Sequence, residues 1–247
     1  MITSVDNPRV KDALRLRKSR ERRRDGLFIA EGVREVERAL AAGLVARAIY
    51  VAPELLPEWT RPGAEEVSER VLAKMAYRAE PEGLLGVFEA PHRRLPPEAS
   101  LVLIAVDIEK PGNLGAMART ADAAGVDALL VAGPNFDPWN PNAIRASTGA
   151  VFTLPIVEAT QADVAALPHN KIAATLGATR AHTEPDYTQP TAFLIGAEDA
   201  GLDDEWRALA DEEVVIPMKG ATADSLNAST AAAVLLFEAV RQRAVST

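Results

Sequence analysis

From Leu101 onward, short runs of almost uninterrupted apolar residues alternate with longer stretches of helical pattern. Leu101 to Val106, Ala128 to Val131, Ile172 to Thr175, Phe193 to Ile195 and Val214 to Ile216 predict strands. A strand that is apolar at nearly every position is buried on both faces, as in parallel sheets covered by helices. Helical stretches near 114–124, 141–147, 161–167, 203–210 and 225–243 separate these runs, so the pattern predicts a parallel α/β sheet. Periodicity alone suggests a doubly wound, Rossmann-like arrangement, because connections are normally unthreaded.

The first 90 residues read differently. Phe28 and Ile29 predict a short strand leading into a helix whose Val33, Val36 and Leu40 keep the spacing of one buried face, with Gly43 as its stop. Ala48 to Val51 and Leu84 to Phe88 predict strands, and Glu65 to Met75 a helix. The segment PHRRLPPEAS has three prolines and little apolar content, as a linker should. Two domains follow: residues 1–92, a linker at 93–99, and residues 100–247.

With 247 residues, 48% hydrophobic and 25% charged, both domains have enough apolar material for ordinary cores. The absence of Cys excludes disulfides and thiolate metal sites, and His92, His169 and His182 show no ligand spacing, so no metal is expected. No signal peptide and no apolar run of membrane-spanning length is visible. The expectation is a cytoplasmic protein.

A net charge of −8 speaks against nucleic acid until its distribution is considered. Residues 9–24 hold nine Lys/Arg and two acids, a segment of +7 on a body of −15. The segment is either a solvated helical face or a phosphate-tracking arm that includes Arg9, Arg17, Arg20, Arg22 and Arg23.

Three segments carry the candidate chemistry. In IEKPGNLGAMARTADAAG (108–125), Asn113 fits a helix start, and Arg119 has the small residues Gly115 and Ala116 one turn before it. Asp122 is placed to pair with that Arg. In FLIGAEDAGL (193–202), a strand runs into Gly196, where backbone can approach a ligand closely. Neither GxGxxG nor GxxxxGK[ST] is present, which disfavours dinucleotide and NTPase loops. From Ile216, a Gly loop leads to Asp224, Ser225, Asn227 and Ser229 at the start of an Ala-rich helix. A helix cap needs one such residue, so the surplus suggests a ligand site.

These three segments, in this order, resemble the motifs of the SpoU/TrmH branch of the SPOUT superfamily, RNA 2′-O-ribose methyltransferases. The resemblance implies a parallel sheet with a deep trefoil knot, S-adenosyl-L-methionine as cofactor, and a homodimer acting on RNA. The 1–92 segment, FIAEG above all, is similar to the L30e-like substrate-binding domain of the ribosomal-RNA members, which points to 23S ribosomal RNA rather than transfer RNA. On the positions that match, Arg119, Asn113, Glu198, Ser225 and Asn227 are the implied catalytic or substrate residues. Thr175, Leu176, Gly177, Gly196, Ile216, Met218 and Leu226 are the implied cofactor residues. Glu198 has a plain ion pair with Lys219 as its alternative.

The stretch 140–150 also fits the family, with Arg145 and Ser147 in reach of RNA phosphate, although Asn142 stands where many relatives are basic. The carboxy-terminal helix offers Leu226, Ala233, Phe237 and Val240 as one stripe, either an interface or a buried face. Deprotonating a guanidinium at pH 7 costs roughly 7 kcal/mol, so stabilising an incipient alkoxide suits Arg119 better than acting as a base. The rivals are a transfer-RNA 2′-O-methyltransferase, a non-catalytic RNA-binding or assembly factor, and a small-molecule α/β enzyme that leaves the basic arm unexplained.

Overall fold

The computed structural model describes residues 1–133, 136–222 and 224–245. It divides into two compact units, Met1–His92 with Trp139–Thr153, and Arg93–Pro138 with Leu154–Thr247.

The first unit begins with α1 (Pro8–Arg15) and α2 (Ser19–Asp25), followed by β1 (Leu27–Glu31), α3 (Val33–Ala41) and β2 (Ala46–Val51). It continues through β3 (Glu65–Glu66), α4 (Glu69–Met75) and β4 (Leu84–Glu89). The sheet order is β1-β4-β2-β3, antiparallel except for β3 on β2. The helix expected over Glu65 to Met75 is shorter. Glu65 and Glu66 pair with Tyr50 and Val51, and Ser68 then caps α4 by accepting from the Val71 amide at 3.4 Å. Val10, Ile29, Val71, Leu72 and Met75 are among the buried residues of its core, each worth roughly 1.5–3 kcal/mol for a large aliphatic side chain.

The second unit contains β5 (Leu101–Val106), α5 (Pro111–Ala123) and β6 (Ala128–Ala132). The chain next contributes α6 (Pro141–Ser147) and a 3-10 turn at Ala150–Phe152 to the first unit. There Trp139 and Phe152 stack on Phe28, with centroids 4.5 and 5.9 Å away. The second unit resumes with β7 (Ile156–Glu158), α7 (Gln161–Ala165), β8 (Asn170–Ala174) and β9 (Thr191–Ile195). It closes with α8 (Asp204–Arg207), β10 (Glu212–Val214) and α9 (Ala228–Val245).

The six strands run in the order β10-β8-β9-β5-β6-β7, all parallel, which bears out the expected sheet. Strands β5, β6 and β9 are buried at every residue, as two-sided coverage requires. Two details differ from expectation. The short, half-polar β7 carried no continuous apolar run to reveal it. The last strand sits two residues earlier than Val214 to Ile216, and Val215 makes only an isolated bridge to Ala181. Among the described residues no helix is long and apolar enough to cross a membrane.

Candidate active site

Because the strands are parallel, the loops leaving their carboxyl ends gather along one edge, where open α/β sheets bind ligands. The loops after β8, β9 and β10 enclose a cleft of about 290 Å³, near the lower end of the roughly 300–1,000 Å³ usual for small-molecule sites. Thr175, Leu176 and Gly177 enter from β8, and Gly196 from β9. Ile216 and Met218 enter after β10, and Leu226 just ahead of α9. All seven expected cofactor residues line this one cleft, together with Glu198 and Ser225.

Gly196 is required by close approach. The 197–201 segment folds back, with the Gly201 amide donating to the Ala197 carbonyl at 2.9 Å, and a Cβ at Gly196 would overlap the Gly201 carbonyl group. Below the loop after β8, the Thr175 hydroxyl donates to Glu213 at 3.0 Å, and Arg207 holds the same carboxylate through two bonds at 2.9 and 3.0 Å. The Arg207 guanidinium holds the Glu213 carboxyl below its usual range. Nothing in the sequence flagged Arg207 or Glu213; pairing across an α8–β10 turn leaves no periodic signature.

Beside the cleft lies a hydrogen-bonded chain of three side chains from the three sequence segments. The Asn227 amide donates to Asn113 Oδ1 at 3.2 Å, and the Asn113 amide donates to Glu198 Oε1. Asn227 Oδ1 in turn accepts from the Ser229 amide at 2.9 Å and from its hydroxyl at 2.6 Å. Asn227 is therefore the α9 cap and a site residue at once, which fixes its orientation. The surplus of polar groups at this helix start is accounted for in part: Asn227 and Ser229 serve the cap, while Ser225 lines the cleft.

Several expectations need correcting. Asn113 is not a cap; Pro111 opens α5 and places Asn113 in its first turn, facing Glu198. Glu198 bonds Asn113, and no pairing with Lys219 is found among the described residues. Arg119 sits on the exposed side of α5, opposite Leu114, Met117, Ala118 and Ala121, and makes no ion pair with Asp122. It is not among the residues lining the cleft. The stripe of Leu226, Ala233, Phe237 and Val240 is not the buried face of α9, which is formed by Ala228, Ala232, Leu235, Leu236 and Ala239; Phe237 is 49% exposed.

The candidate RNA residues separate into two sets. Arg17, Arg20, Arg23 and Arg145 are exposed. Arg9 is exposed but paired with Glu65 at 2.7 Å. Arg22 is buried and donates to the Leu16 carbonyl at 2.6 Å, so it cannot track phosphate. Ser147 is fully buried, donating to the Ile144 carbonyl at 2.7 Å and accepting from the Gly149 amide, so it too is structural. No group of residues suited to a metal ion occurs among the described residues.

Residues 100–237 match the SpoU rRNA Methylase family, and residues 7–86 the MRM3-like substrate binding domain. The chain is 36% identical to a 23S rRNA (uridine(2479)-2′-O)-methyltransferase of Streptomyces viridochromogenes, over 90% of this chain and 85% of that protein. It is 30% identical to a 23S rRNA (guanosine(2553)-2′-O)-methyltransferase of Bacillus subtilis, covering 96% and 97% of the two chains. Among solved structures, an AdoMet-bound rRNA methyltransferase from Sinorhizobium meliloti superposes with a TM-score of 0.86 at 32% identity, covering 97% of each chain. The SpoU methyltransferase AviRb from S. viridochromogenes in complex with AdoMet gives 0.85, also at 32%, covering 96% of this chain and 98% of that one. Matched along nearly its whole length, and with the three motif segments joined at one sheet edge, the chain belongs to the SpoU rRNA methylase family.

Proposed function

We propose that this protein transfers the methyl group of S-adenosyl-L-methionine to a ribose 2′-hydroxyl of RNA, and that its substrate is 23S ribosomal RNA. The observation that carries the reading is the convergence of Glu198, Asn113 and Asn227 beside a cleft walled by Leu176, Gly196, Ile216, Met218 and Leu226. The wall chemistry fits the cofactor. Apolar side chains suit a purine ring, and the backbone at Gly177 and Gly196 can read polar edges without side chains. The bound cofactor supplies an electrophilic methyl group on a sulfonium.

The chain's own residues do the rest. The cleft walls exclude water from a reaction in which a cation meets a developing alkoxide and charge is lost. Glu198 is oriented by Asn113, which is oriented by Asn227, so the carboxylate is preorganised to accept a bond from a sugar hydroxyl or base edge. Arg119 holds the adjacent phosphate and stabilises the alkoxide. Its place on the exposed side of α5, outside the lining of its own cleft, supports a homodimer in which each Arg119 serves the partner's cleft. The half-exposed Phe237 stripe of α9, a helix packed on α5, is the matching interface. The match of the parallel six-strand sheet to the SpoU methyltransferase structures supports a trefoil knot in this unit. Cytoplasmic location follows from this substrate.

The test is incubation with methyl-labelled cofactor and unmodified 23S rRNA, followed by nuclease mapping. Label is expected on a ribose 2′-oxygen at one position. Label on a base, on transfer RNA alone, or on no RNA contradicts the reading.

A further inference from the structure

The basic arm does not present its charge evenly. In α1 and α2, Arg9 is held by Glu65, Lys11 by Asp6, and both Arg15 and Arg24 by Glu21 and Asp25. Arg22 is buried on the Leu16 carbonyl. These charges are spent inside the unit. Arg17, Lys18 and Arg20 are exposed and have no carboxylate partner among the described residues. They cluster at the α1–α2 turn, where the Arg17 guanidinium lies 4.8 Å from the centroid of the Tyr77 ring.

Tyr77 faces a second feature of the same unit. It lines a small recess with Arg78 and Arg145, and that recess shares Glu35, Arg78 and Arg145 with an open cavity of about 390 Å³. Within the cavity, Glu35 pairs with Arg34 at 2.6 Å and with Arg78 at 3.5 Å, and Glu82 pairs with Arg78. Arg145 has no carboxylate partner among the described residues; it donates to Asn142 Oδ1 at 3.4 Å. Tyr77 thus touches both the Arg17 guanidinium, next to Lys18 and close to Arg20 in the chain, and the recess lined by Arg145.

We propose that this face, from Lys18 and Arg20 across the Arg17–Tyr77 stack to Arg145, is a groove for single-stranded RNA. It rests on the RNA reading given above and specifies where that substrate is gripped outside the cleft. Free cations spaced along a path neutralise successive phosphates, and a guanidinium lying on an aromatic ring presents a flat cationic surface on which a base stacks. The ion-paired arginines of α1 contribute little, because taking them over costs an existing pair.

The experiment measures the affinity of the full-length protein for an unmodified single-stranded rRNA fragment as a function of salt. The wild type is expected to show a log–log slope containing about −0.7 for each of four contacts. The variant Arg17→Gln, Lys18→Gln, Arg20→Gln, Arg145→Gln loses about 2 to 3 from that slope. The variant Arg9→Gln, Arg15→Gln, Arg24→Gln changes it by less than about 1. Circular dichroism melting confirms that each variant is folded; if a multiple variant is not, the single Lys18→Gln and Arg145→Gln variants each lower the slope by about 0.7. A wild-type slope that survives the four-fold substitution, or falls with the paired set instead, overturns the groove and leaves the methyltransferase reading standing. A wild type with no RNA affinity overturns both.

Discussion

The cleft edge and the basic arm were both conspicuous as sequence, and they fared differently as structure. At the cleft, segments 108–125, 193–202 and 216–243 supply Asn113, Glu198 and Asn227, which join into one hydrogen-bonded chain. In the arm, nine cations counted as one feature divide into paired, buried and free residues. The difference has a physical cause. Loops leaving the carboxyl ends of parallel strands must meet at one edge, so residue types at loop positions have a destination that the fold dictates. A charge on a helix has no such destination. Its fate depends on which carboxylates the tertiary structure brings within about 4 Å, and Glu65 lies 56 residues from Arg9.

The largest effects should come from the cleft edge. Arg119→Ala and Asn113→Ala should each lower kcat for RNA methylation on the order of 100- to 1,000-fold, the range for loss of one preorganised donor. Single-turnover assays measure this, and a drop below about 5-fold removes either residue from the chemistry. Mixing two inactive proteins, Arg119→Ala and Asn113→Ala, sharpens the point. If each cleft borrows Arg119 from its partner, random exchange restores about a quarter of the wild-type sites. No recovery after verified subunit exchange contradicts a shared site.

On the arm, Arg22→Ala should cost about 1–3 kcal/mol of stability by stranding the buried Leu16 carbonyl, while leaving the salt dependence of RNA binding intact. Denaturant unfolding and binding measured on the same variant separate the two effects. Loss of RNA affinity without loss of stability would return Arg22 to the phosphate-binding set.

The smallest effect concerns acid. The Arg241 guanidinium pulls the Glu238 carboxyl down to about 2, from an ordinary 4.5. A depressed carboxyl stabilises the fold above about pH 4.5 and loses that contribution as pH falls toward 2. Since the Arg241 side chain is 62% exposed, solvent screening limits the gain to under about 1 kcal/mol. Glu238→Gln should therefore lower the unfolding midpoint by its full, small amount at neutral pH and converge on the wild type as pH falls from 4.5 toward 2, as thermal melts across that range would show.

The buried strands were legible because two-sided burial writes itself as unbroken apolar runs, as in Leu101–Val106. The short β7 was not, since Ile156 and Val157 are only partly buried and Glu158 is exposed. Nor did the pattern indicate that Trp139–Thr153 would leave the second unit, because stacking on Phe28 is a contact more than 100 residues away in sequence. Ser147 and Arg22 were misread for one reason: a polar side chain satisfied by nearby backbone carbonyls looks, in sequence, the same as one awaiting a ligand.

The claim on which the rest depends is that the cleft beside Gly196 holds the methyl donor. Calorimetric titration with S-adenosyl-L-methionine tests it directly. The wild type should bind the cofactor, and Arg119→Ala should bind it equally well. Gly196→Ala, whose Cβ would collide with the Gly201 carbonyl, should bind at least about 100-fold more weakly, about 2.7 kcal/mol. Undiminished binding by a folded Gly196→Ala protein, or no binding by the wild type, contradicts the account.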